Sequence, residues 1–323
     1  MIVGRVKKDK KTKKLRGRLL PGDIAVLSHL DLDRTATQML ISRRIKAVLN
    51  DQDYISGRFP NQAPLSLIKS DIPLFIISKE IRNKIKENDI VEIKDNKILT
   101  NNQILGTVEY FSFEKALQKN KLAYKNYNIQ LDKFIDNTIK YMTDEKTKIL
   151  NSPYFEGVLD FENKYILVIV RGAEYKRDLH SLLTFIKKKE PVILAVDGAA
   201  DGCLSLGILP DIIIGDMDSV SKQGLLCGAK LIVHAYPDGS SPGLKRLKKL
   251  GLSAQQFSFC GTSEDIALLL ADQLAQEKIF MIGSHTGMIE FLEKGRPGMG
   301  STLLTRIKVN QKLVDLKGIN LIF

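Results

Sequence analysis

The sequence predicts an α/β protein: a doubly wound, mostly parallel sheet preceded by a smaller α/β unit and a long connecting helix. Three observations carry that expectation. From Tyr165 onward, short apolar runs alternate with helical stretches. The same alternation occurs on a smaller scale between Gly22 and Leu74, and a polar stretch without Gly or Pro separates the two. Strands that alternate with helices build parallel sheets with covered faces.

Taken in order, residues 1–20 form a basic N-terminal arm, because "RVKKDKKTKKLRGR" is almost continuous positive charge. Such runs meet nucleic acid or anionic lipid, or simply stay solvated and mobile. No aromatic residue interleaves with the lysines, so nothing supports a base-stacking nucleic-acid surface. Residues 21–112 form the smaller α/β domain. "DIAVL", "IKAVLN" and "IPLFII" read as strands, with "DRTATQMLISRR" and "APLSLIKSD" as helices between them. From Ile85 to Tyr110 the apolar period shortens to two and is broken at Asp-Asn and Asn-Asn, which predicts a hairpin or meander. Residues 113–150 form one long connecting helix, with Tyr124, Tyr127, Leu131, Phe134, Thr138 and Tyr141 along one face. Residues 151–323 form the larger domain. "YILVIV", "PVILAV", "DIIIG", "KLIVHAY", "FSFCG" and "IFMIG" are its strands, each apolar throughout and so buried on both faces.

Composition narrows the class. With 44% hydrophobic and 27% charged residues in a 323-residue chain, this is an ordinary globular composition with a sizeable core. No apolar run approaches the roughly 20 residues that span a bilayer. Three scattered cysteines and four histidines argue against a zinc site or a disulfide frame and fit a reducing cytoplasm. The net charge of +12 is concentrated in part in the N-terminal run.

The chemistry is carried by "VDGAADGCLSLGILPDIIIGDMDSV", where Asp197, Asp201, Asp211, Asp216 and Asp218 surround two apolar runs. Ligands of an open parallel sheet bind beyond the carboxyl ends of its strands. Asp197 follows one strand there, and Asp216 and Asp218 follow the next. Two uses are open to them: ligation of Mg²⁺, a hard cation that takes carboxylate and phosphate oxygens, or capping of the helices that follow.

This stretch resembles the signature of thiamine pyrophosphokinases, in which an acidic-Gly-Gly turn is followed by Pro-Asp, an apolar strand and Gly-Asp-x-Asp-Ser. The resemblance implies Mg²⁺ and ATP as cofactors. It implies that Asp197, Asp216 and Asp218 hold the metal, and that Gly198, Gly215 and Ser219 lie against the nucleotide. Asp265 in "GTSEDIALLL" matches the Asp of a Thr-Asp pair that opens a later helix in that family; Glu264 stands where the Thr would be. Asp197, Asp216, Asp218 and Asp265 are therefore the implied catalytic set, and AMP-releasing diphosphoryl transfer is the implied reaction. There are departures. Ala199 replaces the second glycine, Asp201 stands at a usual Asn, and the acceptor-side motif survives only as "IGSHTGMIEFL", with Ser284 and His285. About 40 residues follow it, too few for the β-sandwich that completes a thiamine site.

A second resemblance extends over most of the chain. "RLLPGDIAVLSHLDLDRTATQML", "YISGRFPNQAP" and "GSHTGMIEFLEKGRPGMGSTLLTRIKVNQKLVDLKG" are similar to SteA, a bacterial family of cytokinetic-ring proteins with a thiamine-pyrophosphokinase-like domain. It implies a cytoplasmic protein that binds Mg-nucleotide and works at the division septum with a membrane-bound partner; a homo-oligomer is also open. SteA proteins usually continue into a hydrophobic C-terminal segment, and this chain stops at "INLIF". Two features remain on their own physics. "GRPGMGSTLLTR" places glycines before a helix capped by Ser301 or Thr302, where amides could bind phosphate beside Arg296 and Arg306. His29, Asp31, Asp33, Arg34, Arg58 and Asn61 form either a polar pocket or plain turn chemistry. The leading expectation is a division-associated Mg-nucleotide binder; the alternative is an active ATP-dependent diphosphokinase acting on another acceptor.

Overall fold

The computed structural model describes residues 1–155, 163–236 and 238–322, so residues 156–162, just after the expected start of the larger domain at 151, lie outside the described residues. The chain divides into two units, Met1–Phe134 with Leu292–Arg296, and Ile135–Phe291 with Pro297–Phe323.

The first unit holds β1 (Ile2–Lys8), a 3-10 turn (Thr12–Leu15), β2 (Ile24–Leu27), α1 (Arg34–Ser42), β3 (Ala47–Asn50), α2 (Ala63–Lys69), β4 (Leu74–Ile76) and α3 (Lys79–Lys84). β5 (Ile90–Lys94), β6 (Lys97–Thr100), β7 (Gln103–Thr107) and β8 (Glu109–Tyr110) follow. All join one eight-stranded sheet in the order β7-β6-β5-β1-β2-β3-β4-β8. β1 to β4 are parallel, and β5 to β7 form the expected antiparallel meander. β2 and β3 are buried along their whole length, between a core around Leu40, Tyr54 and Phe111 on one face and one around Ile81, Val91 and Ile98 on the other.

Two expectations are corrected here. The basic arm is not a mobile tail. Ile2–Lys8 is an interior strand, paired parallel to β2 and antiparallel to β5, with Val6 fully buried. Its cations reach out of the sheet: Lys8 Nζ donates to the carbonyls of Arg82 and Ile85 at 2.5 and 2.6 Å. The single helix over 113–150 is two helices, α4 (Phe113–Lys125) and α5 (Tyr127–Leu150). The Asn126 amide N–H bonds both Leu122 O and Tyr124 O, tightening the last turn, and its side chain donates to Gly57 O at 3.0 Å.

The second unit contains β9 (Asn163–Ile169), α6 (Tyr175–Ser181), α7 (Leu183–Lys189), β10 (Val192–Val196), α8 (Ala199–Leu204), β11 (Ile212–Gly215), α9 (Lys222–Leu225) and β12 (Lys230–Ala235). It continues with α10 (Pro242–Lys249), β13 (Gln255–Ser258), α11 (Ser263–Leu274), β14 (Ala275–Ile282), α12 (Met288–Glu293), α13 (Gly300–Val309) and β15 (Leu313–Asp315). The seven-stranded sheet runs β13-β12-β11-β10-β9-β14-β15 and is parallel throughout. It is the doubly wound layer that the apolar strands predict, with one strand, β15, more than the six expected.

Strand order reverses between β9 and β14, which makes the carboxyl end of that junction the switch point. Gly172 and Gly283 meet there, since a Cβ on Gly172 would lie 2.2 Å from Gly283 O. One face of the sheet is covered by α11, whose residues Ile266–Ala271 are all buried. The other packs against α6 and α8 through Leu179, Ala200 and Cys203. A helix buried on all sides must be apolar all round, and "IALLLA" is.

Candidate functional site

At the end of β10 the chain turns with Asp197 at φ 49°, and at the end of β11 Gly215 takes φ 146°. The Asp197 carboxylate folds across Gly215. Its Oδ1 lies 2.0 Å from where a Cβ on Gly215 would sit, so only glycine fits. Asp197 Oδ1 accepts from the Met217 amide at 3.0 Å, and Asp216 Oδ1 accepts from the Asp218 amide at 2.9 Å. The Asp197 and Asp216 carboxylates lie close enough for the charge of one to act on the other. Burial first, and the Asp216 charge second, push the Asp197 carboxyl up to about 7, while the Met217 amide and the Arg171 charge pull it down.

The surroundings hold this pair in place. Gly198 donates its amide to Ser219 Oγ at 3.0 Å. The Arg171 guanidinium, from the end of β9, lies 2.6 Å from a Cβ built on Gly198. Arg246 of α10 donates to the carbonyls of Met217 and Val220, the latter at 2.8 Å, clamping the Gly-Asp-Met-Asp-Ser loop from below. Met217, at φ 61° and fully buried, anchors the loop in the core, which leaves Asp216 and Asp218 exposed.

The remaining aspartates of the signature serve the backbone. Asp201 accepts from Ser221 N, and Asp211 accepts from Ile193 N at 2.7 Å. Asp265 belongs to a capping box: its carboxylate accepts from Thr262 N at 2.8 Å while Thr262 Oγ1 accepts from Asp265 N. Ser301 Oγ donates to the same carboxylate at 2.8 Å. None of its hydrogen bonds or ion pairs reaches Asp197 or Asp216. Burial raises its pKa above the ordinary carboxyl value.

A second polar group lies at the end of β14. His285 Nδ1 is 3.0 Å from Glu264 Oε2, and Ser284 Oγ donates to Asp315 Oδ2 at 2.8 Å. Arg306 links the two, 2.7 Å from Asp315 and 3.9 Å from Glu264. α13 begins after Met299, not at Ser301 or Thr302; those hydroxyl residues sit inside its first turn, with Ser301 turned to Asp265. Arg296 falls in the first unit. In the first unit, Asp33 caps α1 through Ala36 N at 2.8 Å, and Asp31 binds Ser56 and Arg58. Asn61 binds Leu32 O and Ala63 N. These are turn and cap contacts.

The structure thus brings together Asp197, Asp216, Gly198, Gly215 and Ser219, with Asp218 on the same loop. Arg171 and Arg246 join them without having been singled out. Among the described residues, no group of three or more His, Cys, Asp or Glu is arranged to hold a metal ion. The two neighbouring carboxylates do fit a cation that keeps most of its waters and takes phosphate oxygens, as Mg²⁺ does. The repulsion between them marks a place where two negative charges need a proton or a cation between them. Asp197 and Asp216 would hold such an ion.

No family model matches the chain. A 94-residue stretch is 32% identical to the 6-hydroxymethyl-7,8-dihydropterin pyrophosphokinase of Methanocaldococcus jannaschii, over 28% of this chain and 39% of that enzyme. The chain therefore spans well under half of the curated relative it matches. Among solved structures, 3-isopropylmalate dehydratase from the same organism aligns at 17% identity and a TM-score of 0.24. That alignment covers 39% of this chain and 98% of the dehydratase, and a score so low carries no argument. Among the described residues, no helix is long and apolar enough to cross a membrane.

Proposed function

We propose that the second unit binds Mg-nucleotide and transfers a diphosphoryl group, releasing AMP. The observation that carries this reading is the Asp197–Asp216 carboxylate pair beside the Arg171 guanidinium, at the carboxyl edge of a doubly wound sheet. The similarity of one stretch to a pyrophosphokinase supports it. Bound Mg²⁺ would neutralise charge on the phosphate oxygens and orient them. The chain's own residues do the rest. Asp197 gives up its proton when it becomes a ligand, and Met217 N and Asp218 N aim the two carboxylates. Arg171 makes no hydrogen bond or ion pair with any described residue, so its guanidinium is available to phosphate oxygens beside Gly198. Phosphoryl transfer needs little more than such positioning and charge stabilisation. The acceptor would approach from the β14 side, where the Ser284–His285 turn faces the switch point. Labelled ATP with Mg²⁺ and a metabolite extract should yield AMP that an Asp216→Ala variant does not produce; equal release by both defeats the reading.

A second reading, a nucleotide-binding protein of the division machinery, rests only on the resemblance of three stretches to SteA. Septal enrichment of tagged protein in dividing cells would support it, and an even distribution would end it.

A further inference from the structure

The carboxyl edge of β1–β4 gathers charged side chains whose contacts leave one guanidinium only partly satisfied. Arg82, on α3 just past β4, is only 4% exposed. Its one ionic contact is Nε to Asp51 Oδ2 at 3.7 Å, too long for a hydrogen bond, and Nε has no partner. The two terminal nitrogens of the guanidinium make no hydrogen bond to any described residue. Asp51 follows β3 and is equally enclosed, with a side chain 2% exposed. Lys8 ends β1 close by, its ammonium on the carbonyls of Arg82 and Ile85. The buried Nε is left unsatisfied, which is costly, while the terminal nitrogens keep access to solvent and so to a ligand.

The place matters as much as the residue. β1, β3 and β4 are parallel, so Lys8, Asp51 and Arg82 all lie at the edge where parallel sheets bind ligands. The connection leaving that edge after β1 is the basic run, with Lys7, Lys8, Lys10, Lys11, Lys13, Lys14, Arg16 and Arg18 against the single acid Asp9. Arg18 braces it, donating to Lys8 O at 3.2 Å, Asp9 at 2.7 Å and Glu87 at 2.8 Å. Lys8 also lies near Asp89 and Glu87, so it is the fork of paired N–H donors on Arg82, rather than net charge, that suits a tetrahedral oxyanion.

We propose that this edge is a second anion site, in which the Arg82 guanidinium receives the phosphate of a small phosphorylated molecule. Lys8 and the basic run add charge, and Asp51 holds Arg82 from behind. The site is independent of the Asp197–Asp216 pair and of the function proposed for it.

Titration of the full-length protein with inorganic phosphate, in EDTA and low salt, reads the site calorimetrically while any divalent-metal site is silent. Wild type should bind. Arg82→Met together with Asp51→Leu removes both buried charges at once, a change folded proteins commonly accept. With circular dichroism unchanged, phosphate binding should fall by about ten- to a hundredfold, the worth of hydrogen bonds to a charged group. Arg82→Lys keeps the charge but loses the fork, so binding should weaken without loss of fold. Acetate at equal ionic strength should not compete. The proposal fails if wild type does not bind phosphate at millimolar concentration, or if the folded double variant binds as wild type does. It fails equally if acetate competes.

Discussion

The Asp197 carboxylate occupies the space that a side chain on Gly215 would need, with Oδ1 2.0 Å from the Cβ position. The two strand ends are thereby interlocked, and the acid can lie across its neighbour only because that neighbour has no side chain. Gly215→Ala should force Asp197 away and strain a backbone at φ 146°. A loss of about 1–3 kcal/mol in stability is expected, together with loss of the rise in melting temperature that Mg²⁺ and nucleotide give wild type. Differential scanning fluorimetry with and without Mg-nucleotide checks both. An unchanged response would show that the interlock does not shape the site.

The raised pKa of Asp197 sets a pH dependence. Folded, it holds its proton up to about 7; unfolded, it releases it near the ordinary carboxyl value of 3.8. Between those values the folded state binds more protons, so metal-free stability should fall as pH rises from about 4 to about 7. Asp197→Asn should remove that slope and raise metal-free stability at pH 8, by on the order of 2 kcal/mol after discounting for partial exposure. Mg²⁺ should bind wild type more tightly across the same rise in pH, with proton release measurable by calorimetry in buffers of different ionisation enthalpy. A flat profile would mean the pair is not coupled.

Asp265 separates capping from metal ligation. Asp265→Ala deprives Thr262 N and Ser301 Oγ of their acceptor and should destabilise by about 1–3 kcal/mol. The Mg²⁺-induced rise in melting temperature should survive in this variant and be blunted in Asp216→Asn. The opposite pattern, normal stability with no metal response, would restore the role that the pyrophosphokinase resemblance implies.

Asp178 is fully buried and accepts from Gly318 N at 3.0 Å, from Asn320 N at 3.1 Å and from the Asn320 side chain. Asp178→Ala should release the segment after β15. Hydrogen exchange at Gly318 and Asn320 should accelerate at least tenfold, the rate equivalent of losing about 1.4 kcal/mol of local protection. Unchanged exchange would show that the segment is held by other contacts.

Much of this was legible in the residues. Continuous apolar runs announced β9 to β14, because a strand covered on both faces cannot alternate. Asp197 and Asp216 were legible because strand ends are where such a sheet presents ligands. Arg171 stands at the end of β9 by the same rule, but a lone arginine after a strand has no spacing that marks it in the sequence. The Thr262–Asp265 spacing is a capping-box pattern, which competes with the metal role that the family likeness implies for Asp265. β15 has three residues and β8 two, too short for any periodicity to register. β1 was hidden by its lysines, although Ile2, Gly4 and Val6 alternate with Val3, Arg5 and Lys7 as a strand should.

The placement of β1 bears on how the first unit is made. This strand is synthesised before any of its partners, yet it becomes the seam where the parallel strands meet the antiparallel meander. Ile2 must wait for Ile93, and Lys8 for Val26. Until residue 93 leaves the ribosome, the strand has one edge unpaired and its lysines are all that discourages another chain from pairing there. Charge that looks like a binding tail in the finished sequence is, in the growing chain, a guard on an unfinished sheet.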